Sequence, residues 1–315
     1  MKPDVLVAYP LRPSQMAMLE EAYTVHRLDL LTGDARDALL AEVGPKCTAM
    51  VVNGHVTIED AFLANLPALK LAACSSAGYD QIDMGAMTRR GITLTNTSDV
   101  LLDDVADTAL LLMLAARRQL VAGDRYVRSG EWGHLGMMPL TTSTAGKKAG
   151  IVGLGKIGLA IAKRCEAVGL TIGYHGRSKK AGIDYSYFDD PVKLAEWADI
   201  LLVATPGGPE TEGLISAAVL DALGPSGSFV NISRGTVVDE PALIRALQER
   251  RIASAGLDVY LNEPKPDPAF AALDNVVLYP HHASGTEETR DRMAQLVIDN
   301  LEAFFAGRPL LTPVN

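Results

Sequence analysis

The sequence predicts an α/β protein with parallel sheets, on three observations. Short apolar runs alternate with helix-length segments along the whole chain, the pattern of repeated βα units. Several of these runs, such as residues 49–52 and 200–204, lack the polar alternation of a half-exposed strand and suit strands covered on both faces. The chain is 315 residues long, enough for two domains, and βα units recur in both halves, which points to two similar folds.

Taken in order, the strand candidates of the first third are residues 5–8, 49–52, 69–73 and 92–95. Between the two sets lies a long helical stretch, residues 100–128, whose start Ser98 or Asp99 can cap. The strands that follow are expected at 149–152, 171–174, 200–204, 228–232, 254–257 and 276–278. The last segment, 288–305, is amphipathic and has no strand after it to feed, so it is expected to pack back on the first domain. The boundaries fall near Ser98 and Glu287, giving one domain from residues 1–98 plus 288–315 and another from 99–287.

Composition narrows the function. Twenty-nine basic against 38 acidic side chains give a net charge of −9, which argues against nucleic acid as the main partner. The three cysteines, Cys47, Cys74 and Cys165, are far apart, with no CxxC pair and no Cys/His cluster; no disulfide framework or metal site is expected, and a reducing cytoplasm fits best. The N-terminal residues read as a strand and not a signal peptide. The greasiest run, residues 109–116, is flanked by Asp107 and Arg117 and is too short to span a bilayer.

The most informative motif is Gly153-Leu154-Gly155-Lys156-Ile157-Gly158, placed between a strand and a helix expected over 159–168. Gly153 permits the tight turn, Gly155 lets a pyrophosphate approach the backbone, and Gly158 lets helix and strand pack closely. The anion then rests on a helix N-terminus. This is the fingerprint of a Rossmann dinucleotide domain. After the next strand come His175-Gly176-Arg177-Ser178-Lys179-Lys180, with no Asp or Glu to bind a ribose 2′-hydroxyl. Arg177 can grip a 2′-phosphate bidentately and Ser178 can donate to it, so the expected cofactor is NADP(H) over NAD(H). A merely solvated basic loop is the plain alternative.

Three later strand ends carry Arg234 in Asn231-Ile232-Ser233-Arg234-Gly235, Glu263 in Asp258-Val259-Tyr260-Leu261-Asn262-Glu263-Pro264, and a histidine pair in Pro280-His281-His282. Carboxyl ends of parallel strands line the ligand crevice, so these three can meet although distant in sequence. The types suit hydride transfer to a 2-oxo acid. Arginine clamps a carboxylate and polarises the carbonyl, histidine gives a proton to the forming alkoxide, and glutamate orients the imidazole and favours its charged form. The bland readings are a surface ion pair, a turn and a strand cap.

Together with Ser76-Ala77-Gly78-Tyr79-Asp80-Gln81-Ile82-Asp83, these motifs make the chain resemble the D-2-hydroxyacid dehydrogenase family over nearly its whole length. The resemblance implies a flavodoxin-like substrate domain, a doubly wound nucleotide-binding domain and a cleft between them. It implies Arg234, Glu263 and His281 as the catalytic set, His281 being preferred to His282 because it directly follows Pro280. The implied substrate contacts are Ala77, Gly78, Arg234 and His281, and Asn53, at a first-domain strand end, is a further candidate for the substrate pocket. The implied cofactor contacts are Thr108, Gly153, Leu154, Gly155, Lys156, Ile157, Gly158, Gly176, Arg177, Ser178, Lys179, Thr205, Pro206, Ile232, Ser233, Arg234 and Asp258.

Within the family the chain is most similar to the NADPH-dependent glyoxylate/hydroxypyruvate and hydroxyphenylpyruvate reductases, through Asp103-Asp104-Val105-Ala106-Asp107, Arg177-Ser178-Lys179-Lys180 and Ser284-Gly285-Thr286-Glu287-Glu288. A homodimer joined through the nucleotide domain follows from the resemblance, with the 100–128 helix as its interface element. Trp132, Met137 and Met138 are candidate pocket walls, Trp132 fitting plain core equally well. The competing functions are an NAD-linked dehydrogenase of the same family and a dinucleotide-sensing scaffold without catalysis.

Overall fold

The strand candidates named above all form strands, most of them buried, whereas the run 109–116 lies in a helix. The computed structural model describes residues 2–315. The chain forms two compact units, one running up to Leu101 and resuming over Ser284–Asn315, the other comprising Leu102–Ala283.

The first unit holds β1 (Asp4–Val7), β2 (Thr24–Arg27), β3 (Ala49–Val52), β4 (Leu71–Cys74) and β5 (Thr93–Thr95) in the order β2-β1-β3-β4-β5, all parallel. This is the flavodoxin-like doubly wound order. Strands β3 and β4 are buried at every position, as their unbroken apolar sequences require. The final helix, Glu287–Phe305, places Ala294, Val297, Ile298 and Leu301 in the same core as Val5, Leu19 and Leu71.

The second unit holds β6 (Lys148–Val152), β7 (Thr171–His175), β8 (Ser186–Phe188), β9 (Ile200–Val203), β10 (Ser228–Asn231), β11 (Ser254–Leu257) and β12 (Val276–Leu278). Their order, β12-β11-β10-β9-β6-β7-β8, is the Rossmann order with one added edge strand, and the direction of winding switches between β6 and β9. Register across this sheet is level: His175 pairs Val152, Val152 pairs Val203, Val203 pairs Asn231, Asn231 pairs Leu257, and Leu257 pairs Leu278. The loops after six strands therefore leave the sheet from one straight edge.

The structure differs from expectation in three places. Strands β2 and β8 lie at sheet edges, are only partly buried, and so carry no apolar run to announce them. The 100–128 segment is two helices, Leu102–Arg117 and Leu120–Arg128, separated by Gln119 in the left-handed region at φ 51°. The break follows burial: the first helix is largely core, whereas the second buries no side chain. Arg117, at the break, is itself buried and is spent on Ser228 Oγ, Thr142 Oγ1, Thr144 Oγ1 and the Ser143 carbonyl. Finally, the helix after the glycine turn begins at Lys156 and ends at Ala167, so Gly158 sits in its first turn.

Candidate active site

The glycine turn shows three distinct steric demands. Gly153 has φ +94°, and a Cβ there would lie 2.6 Å from the Thr205 backbone nitrogen. A Cβ on Gly158 would lie 2.1 Å from the Gly153 carbonyl oxygen. Gly155, exposed and caught at the helix cap, would place a Cβ within 4 Å of nothing. The protein's own packing thus requires small residues at 153 and 158 but not at 155. Space is left over the turn, beside the first-turn amides of the Lys156–Ala167 helix, which suits a dinucleotide pyrophosphate. Leu154 is buried, while Lys156 is exposed and Ile157 half-buried.

The basic loop after β7 is anchored from beneath. The buried Tyr174 hydroxyl accepts from the Lys180 amide at 2.8 Å, and the Tyr187 hydroxyl donates to the Gly176 carbonyl at 3.2 Å. Above these anchors the side chains are free to reach outward: Arg177, Ser178 and Lys179 are exposed, and the Arg177 side chain, 95% exposed, lies 3.8 Å from the Glu210 carboxylate. The loop after β9 is tied in as well. The Ser233 hydroxyl donates a short bond to the Thr205 carbonyl, and the Thr211 hydroxyl donates to the Pro206 carbonyl at 2.7 Å.

At the other end of the edge, Glu263 and His281 meet. The imidazole Nδ1 lies 2.6 Å from Glu263 Oε2, and Oε1 accepts the Tyr260 amide at 2.9 Å. Burial pushes the Glu263 carboxyl up, but the hydrogen bonds from His281 and Tyr260 and the charges of His281 and Arg234 outweigh it, holding the group below its ordinary range. His281 adopts φ +49°, and its amide donates to the Asp258 carbonyl at 2.7 Å. The fully buried Asp258 carboxylate accepts the next two amides, His282 at 2.7 Å and Ala283 at 3.1 Å. Burial dominates there, and the Asp258 carboxyl is raised. This carboxylate, expected beside the cofactor, is thus engaged in fixing the 281–283 turn. His282 does not face Glu263; its ring stands edge-on to Tyr279 at 6.0 Å.

Arg234 is positioned by its backbone. Asn231 Nδ2 donates to the Arg234 carbonyl at 2.9 Å, while Asn231 Oδ1 accepts the Ser233 amide at 3.0 Å. Ile232 is buried at the strand end. Gly235 follows because a Cβ there would lie 2.0 Å from the Tyr260 carbonyl carbon, so the arginine and glutamate loops pack backbone to backbone. Thr108, buried, donates its hydroxyl to the Ala283 carbonyl at 3.2 Å.

In the first unit, Asn53 is buried and shapes its own loop, donating to Ser75 Oγ at 3.1 Å and accepting the His55 amide at 3.0 Å. The carbonyls of Ala77 and Gly78 accept from Asn96 Nδ2 and Ser76 Oγ at 2.9 and 2.8 Å. Trp132 is not core: it is 60% exposed, and Met137 is 84% exposed. Sequence reasoning missed Tyr174, Tyr187 and Tyr260, whose hydroxyls brace the site loops. A tyrosine within or shortly after a strand was the available signal. Among the described residues there is no group of His, Cys, Asp and Glu able to hold a metal, and the three cysteines are buried and free. No helix among them is long and apolar enough to cross a membrane.

Comparison with known proteins places this geometry. Residues 110–283 match the NAD-binding domain model of the D-isomer specific 2-hydroxyacid dehydrogenases. The chain is 47% identical over 283 residues to a hydroxyphenylpyruvate reductase of Plectranthus scutellarioides, covering 90% of each chain. It is 42% identical to a 2-ketogluconate reductase of Gluconobacter oxydans, covering 99% of each. Among solved structures, an NADPH-dependent glyoxylate/hydroxypyruvate reductase from Sinorhizobium meliloti, in complex with NADP and malonate, aligns with a TM-score of 0.90 at 39% identity, over 100% of this chain and 97% of that one. With a matching domain model and near-full-length relatives, the chain belongs to the D-isomer specific 2-hydroxyacid dehydrogenase family and is an oxidoreductase.

Proposed function

We propose that the protein reduces a small 2-oxo acid, of the glyoxylate or hydroxypyruvate kind, to the D-2-hydroxy acid at the expense of NADPH. The observation that carries this reading is the Glu263–His281 pair, standing at the same sheet edge as the glycine turn and the Arg234 loop. The adenosine end of the cofactor belongs with the loop after β7, where Gly176, Arg177, Ser178 and Lys179 receive the 2′-phosphate. The pyrophosphate belongs on residues 153–158, and the remainder along Thr205, Pro206, Ile232, Ser233 and Asp258, with Thr108 nearby. Bound there, the dinucleotide supplies the hydride. Arg234 holds the substrate carboxylate and polarises its carbonyl. His281, its Nδ1 fixed by Glu263, delivers a proton from Nε2 to the carbonyl oxygen.

NADPH preference rests on the absence of an acid after β7 and the presence of Arg177, Ser178 and Lys179. The test is a panel of 2-oxo acids, including glyoxylate, hydroxypyruvate and an aryl pyruvate, with consumption of each reduced nicotinamide followed by absorbance. Turnover of none of them overturns the reading in favour of a binding role.

We further propose a homodimer through the second unit. Leu120, Val127, Trp132, Leu135, Met137 and Leu140 are all exposed on one stretch of chain, apolar side chains that a partner subunit would cover. Light scattering should give twice the chain mass, and Leu135→Asp with Leu140→Asp should give the monomer.

A further inference from the structure

The segment that bears Glu263 is held to the protein body at very few points. Residues 261–268 are all exposed, Leu261 to 46%. Within 261–266 the chain makes one turn bond of its own, Lys265 to Asn262. Apart from the bonds of Glu263, the hydrogen bond that ties this stretch to another element, among the described residues, is the Leu261 amide donating to Glu240 Oε2 at 2.9 Å. Glu240 opens the Glu240–Gln248 helix, one residue after its cap Asp239, and is only 5% exposed.

Such a burial is costly. A carboxylate taken out of water without a cation loses hydration that one amide does not replace. Burial is the main reason its carboxyl is raised, and the carboxylates of Asp267 and Glu263 add to it. A leucine would fill the same space at less cost. The position also adjoins the place where Gly235 lets the arginine loop touch the Tyr260–Leu261 peptide. Consecutive amides, Tyr260 and Leu261, thus go to two carboxylates, Glu263 and Glu240.

We propose that Glu240 is a positioning residue for the proton-donating pair: by accepting the Leu261 amide it fixes the exposed segment so that Glu263 meets the His281 imidazole. The inference rests on the catalytic reading of Glu263 and His281 above. Two variants separate the hydrogen bond from mere packing. Glu240→Gln keeps an acceptor of the same shape, and Glu240→Leu fills the space without one.

Two readouts apply. The proton between His281 Nδ1 and Glu263 gives a downfield NMR resonance, assigned by its loss in His281→Ala, that needs no turnover. Steady-state kinetics give kcat and KM. Glu240→Leu should broaden or lose the resonance and lower kcat about tenfold, with KM for the nucleotide and Tm held or Tm raised. Glu240→Gln should keep the resonance and stay within about twofold of wild-type kcat. An intact resonance and normal kcat in Glu240→Leu would overturn the proposal, as would equal impairment in both variants. If instead His281→Ala turns over normally while the resonance responds as stated, the positioning stands and the catalytic reading falls.

Discussion

The two ends of the seven-stranded sheet's carboxyl edge are built to opposite plans. At the β11–β12 end, Glu263, His281 and Asp258 are locked by bonds of 2.6 to 3.1 Å to each other and to backbone amides. At the β7 end, only the backbone is anchored, through Tyr174 and Tyr187, while Arg177 points outward beside Glu210. Proton transfer gains from a donor already in place, because geometry lost at the reacting atom is lost in rate. A phosphate is gripped well enough by long cations that order around it on binding, at some cost in side-chain entropy. Under the proposed function, one end is set for chemistry and the other for selection.

The sharpest way to break that contrast is at the fixed end. His281→Ala should lower kcat by about 10²–10⁴-fold with a small change in nucleotide KM, because it removes the acid and not the binding surface. Glu263→Gln should lower kcat by about 10–100-fold, because it weakens the bond that orients the imidazole and favours its charged form. Glu263 also links to stability. Its folded carboxyl is held below the ordinary range, so its contribution is present above the unfolded pKa and is lost as pH falls through the folded value. The Tm difference between wild type and Glu263→Gln should shrink on that acid side, by calorimetry across pH.

At the selecting end, Arg177→Ala should raise KM for NADPH about tenfold and leave that for NADH and both kcat values nearly unchanged. A parallel rise for NADH would mean that the loop holds the nucleotide and does not discriminate. Gly155→Ala sharpens the comparison most economically. Nothing in the protein lies within 4 Å of the new methyl and the backbone there is not left-handed, so Tm should hold while nucleotide Kd rises several-fold, measured by fluorescence titration. Gly153→Ala, with φ +94° and a backbone contact at 2.6 Å, should instead lose stability.

The central strands were legible because burial on both faces writes an apolar run into the sequence. Strands β2 and β8 were not, because an edge strand needs less of it. The turn at Gln119 was hidden because helix-forming residues continue through it; what ends the first helix is the buried Arg117 and its distant hydroxyl partners. The candidate site was readable where a residue type announces chemistry, as with Arg234, Glu263 and His281. Its supports were not. That Asp258 grips two amides, that Tyr260 stitches the ends of β11 and β12, and that Glu240 reaches Leu261 all depend on strand register and loop packing.

The proposed function is tested most directly by the initial rate of hydroxypyruvate reduction with NADPH and with NADH, for wild type and His281→Ala side by side. Wild type should use NADPH with kcat/KM at least about tenfold above NADH, and His281→Ala should all but abolish both rates. Preference for NADH, or undiminished turnover in the His281 variant, would contradict the proposed function.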